Sequence, residues 1–312
     1  MSRGKILVLT GPTATGKTAL GVALAETLGG EVVSADSMQL YKLLNIGTAK
    51  PTAEEMHNIP HHMVDIVSPF ESYSVSRYVE EATAHVDGIL ARSKLPIIVG
   101  GTGLYIDNLI AGRTFAPVES DTIRAELSSK YDLIGGENML AQLASFDAIS
   151  AKRLHSNDKT RIIRAFEIYE LTGQTKTQYD AETQAIPPRY DSVRIALEFS
   201  ERERLYERIN ARVDTMMRAG LLAETQMLLD LGLTRAHTAM QAIGYRELTD
   251  AISGDITLAG AIDAIKLNSR RYAKRQLTWL RRHADVRWIS RDKMPDIDHC
   301  VAVSTGFLRE AE

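Results

Sequence analysis

A single cysteine, Cys300, stands in the whole chain, which excludes an internal disulfide and any zinc site built on cysteine pairs, and fits a reducing compartment. Its residue type and place near the C-terminus make it a buried small hydrophobe. Long apolar runs are missing as well. Only Ile6 to Leu9 precede the first glycine of the loop that follows, too few for the core of a secretion signal, and no later stretch approaches a membrane span. The expected setting is therefore cytoplasmic, without membrane contact. An excess of positive charge is lacking too: the formal net charge is −3, so contact with a nucleic acid has to come from a local basic patch rather than from the chain as a whole. Internal repeats and low-complexity segments are absent.

What is present is an ordinary globular composition, 44% hydrophobic and 25% charged over 312 residues, enough for one large core and a smaller second unit. Lys5–Thr10 reads as a buried strand, followed by a helix over 17–28 with Leu20, Ala23, Leu24 and Leu28 on one face. The alternation continues with a strand at Glu31–Ala35, a helix at Ser76–Ala91 that turns Val79, Ala82, Val86 and Ile89 inward, and a strand at Pro96–Val99. Strands that are apolar throughout imply a parallel sheet covered on both faces. From about Ala111 to Pro188 the pattern changes to helices alone, one carrying Ile162, Phe166 and Tyr169 at helical spacing, and Pro187 and Pro188 close the region. A strand at Val193–Phe199, long helices from about Glu201 to Arg282 and a last strand at Val286–Ser290 complete the chain. The expected fold is α/β: a phosphate-loop parallel-sheet core with helices on both faces, formed by 1–111 and 189–312, interrupted by an all-helical insertion at 112–188.

Gly11, Pro12, Thr13, Ala14, Thr15, Gly16, Lys17 and Thr18 match the pattern of a phosphate-binding loop, and they lie between an expected strand and an expected helix, as the mechanism requires. Backbone N–H groups there wrap a phosphate at the positive end of the helix dipole. Lys17 supplies a mobile charge and the Thr18 hydroxyl can hold Mg2+. A diphosphate fits such a cradle as well as a triphosphate, and the loop does not say whether a phosphoryl group is transferred. Asp36 follows the second strand and faces the same crevice, since the C-terminal ends of strands line the ligand site of such sheets. It can bind Mg2+ through water or take a proton from a nucleophile, and the plain alternative is a turn formed by Asp36 and Ser37. A second glycine turn, Gly100 to Tyr105, opens onto the crevice and offers the Thr102 hydroxyl; alone, two glycines after a strand mean only tight packing.

Together with Ser34–Gln39, Ile46–Pro51, Pro60–His62, Asn157–Asp158, Gln241–Arg246 and Arg271–Trp279, these segments resemble, in order and over almost the entire chain, the bacterial tRNA dimethylallyltransferase (tRNA isopentenyltransferase) family. The resemblance implies that the loop holds dimethylallyl diphosphate with Mg2+ and that Asp36 is the general base. The implied acceptor is the exocyclic amine of the adenine immediately 3′ of the anticodon, which must be unstacked to react. It further implies that Lys17, Thr18, Thr102 and Arg212 stabilise the leaving diphosphate, although an arginine at 212 would otherwise read as a solvated helix charge. The implied tRNA contacts are Asp36, Ser37, Met38, Gln39, Thr102, Arg124, Thr160, Arg161, Ile162, Ile163, Arg164, Gln241, Ala242, Ile243, Gly244, Tyr245 and Arg246, with the insertion gripping the anticodon stem. Leu43 and Asn45 stand where the family commonly has glycine and aspartate, and Ser156 where it has proline. The zinc finger of eukaryotic relatives has no cysteine pairs here.

On the helix through 262–282, Arg270, Lys274 and Arg281 fall near one line with Arg271, Arg275 and Arg282 beside it, while Ile262, Ile265, Ala273 and Leu280 look inward. This is either an RNA phosphate contact or a solvated basic face. His57, His61 and His62 lack carboxylate or cysteine partners at metal-site spacing, so a loop or packing role is expected. A small-metabolite kinase, an RNA-binding regulator and a prenyltransferase acting on free AMP are the rival readings. Nothing demands a dimer, so a monomer is expected.

Overall fold

In the computed structural model, residues 3–113 and 121–311 are described. The chain divides into two compact units, Met1–Gly112 with Arg189–Glu312, and Arg113–Pro188.

The larger unit is built on six parallel strands: β1 (Lys5–Thr10), β2 (Glu31–Ala35), β3 (His61–His62), β4 (Pro96–Gly100), β5 (Asp191–Glu198) and β6 (Arg287–Ser290), in the order β3-β2-β4-β1-β5-β6. The all-parallel sheet accounts for the unbroken apolar runs, because both faces are covered. On one face Leu7, Leu9, Val32, Ile97 and Ile195 pack against Leu20 and Leu24 of α1 (Lys17–Leu28) and against Cys300 and Leu308 of the C-terminal helix. On the other lie α2 (Val75–Ala91) and α3 (Gly103–Ala111), where Tyr78 and Tyr105 stack with ring centres 4.0 Å apart and the Tyr78 hydroxyl donates to Ser34 O. Ser74 caps α2 by accepting from Arg77 N, so the helix begins at Val75, one residue before the expected start.

The smaller unit contains α4 (Asp121–Ile134), α5 (Gly136–Phe146), α6 (Ala148–Arg153), α7 (Lys159–Thr172) and α8 (Lys176–Ala185) around a core of Leu127, Met139, Leu143, Ile162, Ile163 and Phe166. Asp147 joins α6 to α8: the carboxylate caps α6 through Ser150 N and accepts from Thr177 N and Oγ1 on α8.

Beyond β5 the helical stretch is not continuous. It consists of α9 (Arg202–Arg218), α10 (Leu221–Asp230), a 3-10 turn (Thr238–Gln241), α11 (Tyr245–Ile252) and α12 (Leu258–Leu280). Gly220, at φ 101°, breaks α9 from α10. Three elements have no counterpart among those expected: the two-residue β3, α3, and α13 (Ile297–Arg309), which Asp296 caps through His299 N. Cys300 on α13 is fully buried. No helix among the described residues is long and apolar enough to cross a membrane.

Candidate active site

The loop between β1 and α1 turns through three left-handed residues, Gly11, Ala14 and Gly16, at φ 140°, 67° and 90°. Holding an alanine there costs about 1 kcal/mol, and Ala14 is kept in place by packing on Leu205, Ile209 and Ala273 and by Arg208 Nε donating to its carbonyl at 2.9 Å. Thr13, Ala14, Gly16, Lys17 and Thr18 line a cavity of about 900 Å3, while Gly11, Pro12 and Thr15 shape the turn from behind it. The Thr15 hydroxyl and the Lys17 ammonium both donate to Pro12 O at 2.8 Å. Burial, and then the charge of Arg212, push the Lys17 ammonium down to about 7, against the opposing pull of Asp36. Burial lowers the Arg212 guanidinium too, opposed by Asp36 and Glu55. Two desolvated cations share one near carboxylate, an arrangement that an anionic ligand would relieve.

Asp36, Ser37, Met38 and Gln39 line the same cavity from the end of β2. Asp36 forms the turn that the sequence allowed and also faces the cavity. Its Oδ1 closes a turn by accepting from Met38 N at 2.9 Å and Gln39 N at 3.4 Å, and its charge acts on Lys17, Arg212 and Tyr272, whose phenol is pushed up to about 12 chiefly by burial. Thr102 stands beside the cavity, held to two residues that line it, Ser37 and Tyr272. Its Oγ1 accepts from Ser37 N at 3.1 Å, donates towards Ser37 Oγ at 3.4 Å and lies against the Tyr272 hydroxyl, so it ties the α3 start to the Asp36 segment. Arg212 is no solvated charge. With Leu205, Ile209 and Val213 burying one face of α9, residues 208, 212 and 216 fall along its edge and line the cavity.

Of 241–246, Gln241, Ala242, Ile243, Gly244 and Arg246 line the cavity and Tyr245 does not. An RNA contact by the Tyr245 side chain is corrected: it is fully buried, its hydroxyl donates to Glu224 Oε1 at 2.6 Å and accepts from Gly47 N at 3.1 Å. Glu224, on α10, also accepts from the backbone N–H groups of Asn45, Ile46 and Gly47 at 3.0–3.3 Å. Gln39 Nε2 reaches the carbonyls of Thr48 and Ala49, so this loop forms a further wall. Leu43, where the family favours glycine, sits at φ 68°.

On α12, Arg271 and Arg275 face the cavity together with Tyr272 and Gln276, and Lys274 and Arg275 line a smaller groove with Thr278, Trp279 and, just past the helix end, Arg282. Arg270 is engaged elsewhere, donating to Asn210 Oδ1 at 2.6 Å, and Arg281 lies 4.0 Å from Glu198. Ile265, Ala273 and Leu280 are buried as the pattern requires; Ile262 is only partly so. Glu224, Tyr272 and Gln276 were not singled out from sequence. Tyr272 and Gln276 sit in the Arg271–Trp279 block, but nothing there separates a buried polar side chain from a solvated one.

Within the helical unit, Thr160 and Arg161 are exposed, whereas Ile162 and Ile163 belong to its core, which removes their side chains as RNA contacts. Arg124 and Arg164 both pair with Glu167, a carboxylate with no exposed surface. The histidines are structural: His57 meets Glu26, His61 Nδ1 meets Ile59 O, and His62 pairs with Glu31 and stacks on His85. Among the described residues no group of three or more His, Cys, Asp or Glu converges as a metal site.

A family profile described as "IPP transferase" matches residues 39–283, and a second, "Isopentenyl transferase", matches 4–65. The chain is 45% identical to a tRNA dimethylallyltransferase of Desulforudis audaxviator, covering 95% of this chain and 93% of that one, and 43% identical to that of Shouchella clausii over 98% and 100%. Among solved structures, the full-length tRNA isopentenylpyrophosphate transferase of Bacillus halodurans is 42% identical, with a TM-score of 0.72 over 99% of this chain and 98% of that one. A eukaryotic dimethylallyltransferase described as acting on tRNA is 28% identical, with a TM-score of 0.84 over 98% and 80%. The chain belongs to the IPP transferase family, that of the tRNA dimethylallyltransferases.

Proposed function

We propose that this protein transfers the dimethylallyl group of dimethylallyl diphosphate to the exocyclic N6 of the adenosine immediately 3′ of the anticodon in tRNA, releasing diphosphate. The observation that carries this reading is the meeting of Lys17, Arg212 and Asp36 on one cavity, two cations for a leaving anion and one carboxylate for a proton. The amine nitrogen forms a bond to the allylic carbon as the bond from that carbon to the diphosphate oxygen breaks. Negative charge collects on the departing diphosphate, where the 13–16 backbone, Lys17 and Arg212 receive it. The nitrogen sheds a proton to Asp36, and the free choice of oxygen is Oδ2, since Oδ1 is committed to the turn. Thr18 and Asp36 give the cavity one hydroxyl and one carboxylate, a donor set that suits Mg2+, which keeps most of its shell as water and phosphate oxygens. Held at Thr18, the ion would neutralise charge on the diphosphate.

Asp36 to Gln39, the cavity-lining residues of 241–246, and Thr160, Arg161, Arg164 and Arg124 of the helical unit are the proposed contacts to the anticodon stem-loop, through unstacked bases and phosphates. The enzyme works as a monomer in the cytoplasm. The test is to incubate the protein and Mg2+ with labelled dimethylallyl diphosphate and unmodified tRNA, AMP or ATP as alternative acceptors. Label should enter tRNA alone; label in AMP, or none in tRNA, sinks the proposal. Asp36→Asn keeps an oxygen for Met38 N and Gln39 N and removes the carboxylate charge, and with it the base. It should bind tRNA normally and turn over at least about a hundredfold more slowly; normal turnover would remove Asp36 as the base.

A further inference from the structure

Gln276 lies on α12, with 7% of its surface exposed, and spends both ends of its amide on backbone. Its Oε1 accepts from Thr13 N at 3.0 Å and its Nε2 donates to Gly101 O at 3.1 Å. The orientation of the amide follows from these partners, since an N–H needs the oxygen and a carbonyl needs the nitrogen. β1 and β4 pair from Leu7↔Ile97 to Leu9↔Val99, and beyond the strand ends the ladder stops. Gln276 bridges the two loops where the sheet no longer does. Gly101 makes room for it: a Cβ at that position would stand 2.1 Å from Nε2.

Gly101 leads into Thr102, whose hydroxyl accepts from Ser37 N beside Asp36. A single side chain thus ties the phosphate loop, through Gly101 and Thr102, to the segment bearing the carboxylate. We propose that Gln276 is a positioning residue that fixes the diphosphate cradle against the Asp36 segment and so sets the distance between the allyl donor and the attacking amine. The inference rests on the prenyl-transfer reading above. In-line displacement needs reacting atoms about 3–3.5 Å apart, and a shift of about 1 Å costs on the order of a hundredfold in rate.

The experiment compares Gln276→Leu, Gln276→Glu and Gly101→Ala, singly and as the Gln276→Leu/Gly101→Ala pair, measuring single-turnover transfer at saturating donor and tRNA beside tRNA Kd. Leucine keeps the bulk and loses both bonds; glutamate keeps the acceptor for Thr13 N and loses the donor to Gly101; alanine at 101 wedges the amide away. Each should lower the transfer rate, on the order of a hundredfold for Gln276→Leu, with tRNA Kd unchanged within about twofold. The double variant should be no slower than the slower single, because both remove one bridge. Weakened tRNA binding with an unchanged saturated rate would make Gln276 an RNA contact and overturn the proposal, as would independent losses that multiply. Should Gln276→Leu fail to fold, Gln276→Glu and Gly101→Ala decide by the same two quantities. An inert wild-type protein would sink the proposed function and this inference with it; an active wild-type protein whose variants turn over normally sinks this inference alone.

Discussion

Lys17 is the residue whose chemistry depends most on what fills the cavity. Its ammonium is held down to about 7 by burial and by Arg212, against about 10.4 in an unfolded chain. Between those values the unfolded chain holds a proton that the folded one has released, so this group's contribution makes stability rise with pH across that window, and below about 7 its full penalty is present. A bound diphosphate reverses the cause. At pH 8, binding of diphosphate should therefore be accompanied by uptake of up to about one proton at this site, read by calorimetry in two buffers of different ionisation enthalpy. Lys17→Met should abolish most of that uptake; an uptake unchanged by the substitution would place the titrating group elsewhere. Arg212 shows where sequence stops at this scale. Spacing defines the buried face of α9 through Leu205, Ile209 and Val213, but not which neighbour the edge of the helix meets. Only the ordered likeness to a family lifted Arg212 above a solvated charge. Leu43 is the converse: a departure legible in the sequence whose meaning, a left-handed backbone carrying a side chain, needed the structure.

The joint between α10, α11 and the loop at 45–49 is made by side chains that no periodicity announces. Glu224 collects three successive backbone N–H groups and the Tyr245 hydroxyl, and the loop it holds supplies Gly47, Thr48 and Ala49 to the cavity wall. Glu224→Ala should cost about 2 kcal/mol by leaving those donors without their acceptor, and amide exchange at 45–47 should accelerate while exchange in β1 stays slow. Tyr245→Phe, which removes the hydroxyl's bonds to Glu224 and from Gly47 N but leaves the carboxylate to hold Gly47 N, should cost about 1 kcal/mol. Unchanged exchange at 45–47 in Glu224→Ala would show that the loop holds itself. The strands of the sheet were readable because burial on both faces forces unbroken apolar runs. β3 was not, since two histidines carry no strand signal, and α13 was not, since Val301, Val303 and Thr305 mix strand-forming residues into a helix.

Taken whole, the chain carries a formal charge of −3 and is expected to engage a polyanion. Attraction then depends on where its cations stand, and Lys274 and Arg275 of α12, with Arg282 just past its end, line one groove whose Arg275 also faces the main cavity. Affinity for tRNA should fall steeply with salt. Lys274→Ala and Arg282→Ala should each lower the slope of log K against log salt by roughly 0.7–0.9 if they meet a phosphate, and an unchanged slope would return them to a solvated face. The order of segments along the chain, and the α/β core apart from β3 and α3, were legible in the sequence. Which cations converge was not, because that depends on the breaks at Gly220 and between 231 and 244 that fold α9 to α12 back over the sheet end.

The strand order carries a consequence of its own. Because β4 lies between β1 and β2, the phosphate loop and the Asp36 segment leave the sheet as next-nearest rather than nearest neighbours. Two inter-strand steps separate them, roughly 10 Å of backbone. Within the sheet that interval is a ruler graduated by hydrogen-bond spacing, and only the loops beyond the strand ends are left for a side chain such as Gln276 to set. A donor anchored at one end by its phosphates must therefore present its reacting carbon part-way along the interval, and the acceptor must fill what is left.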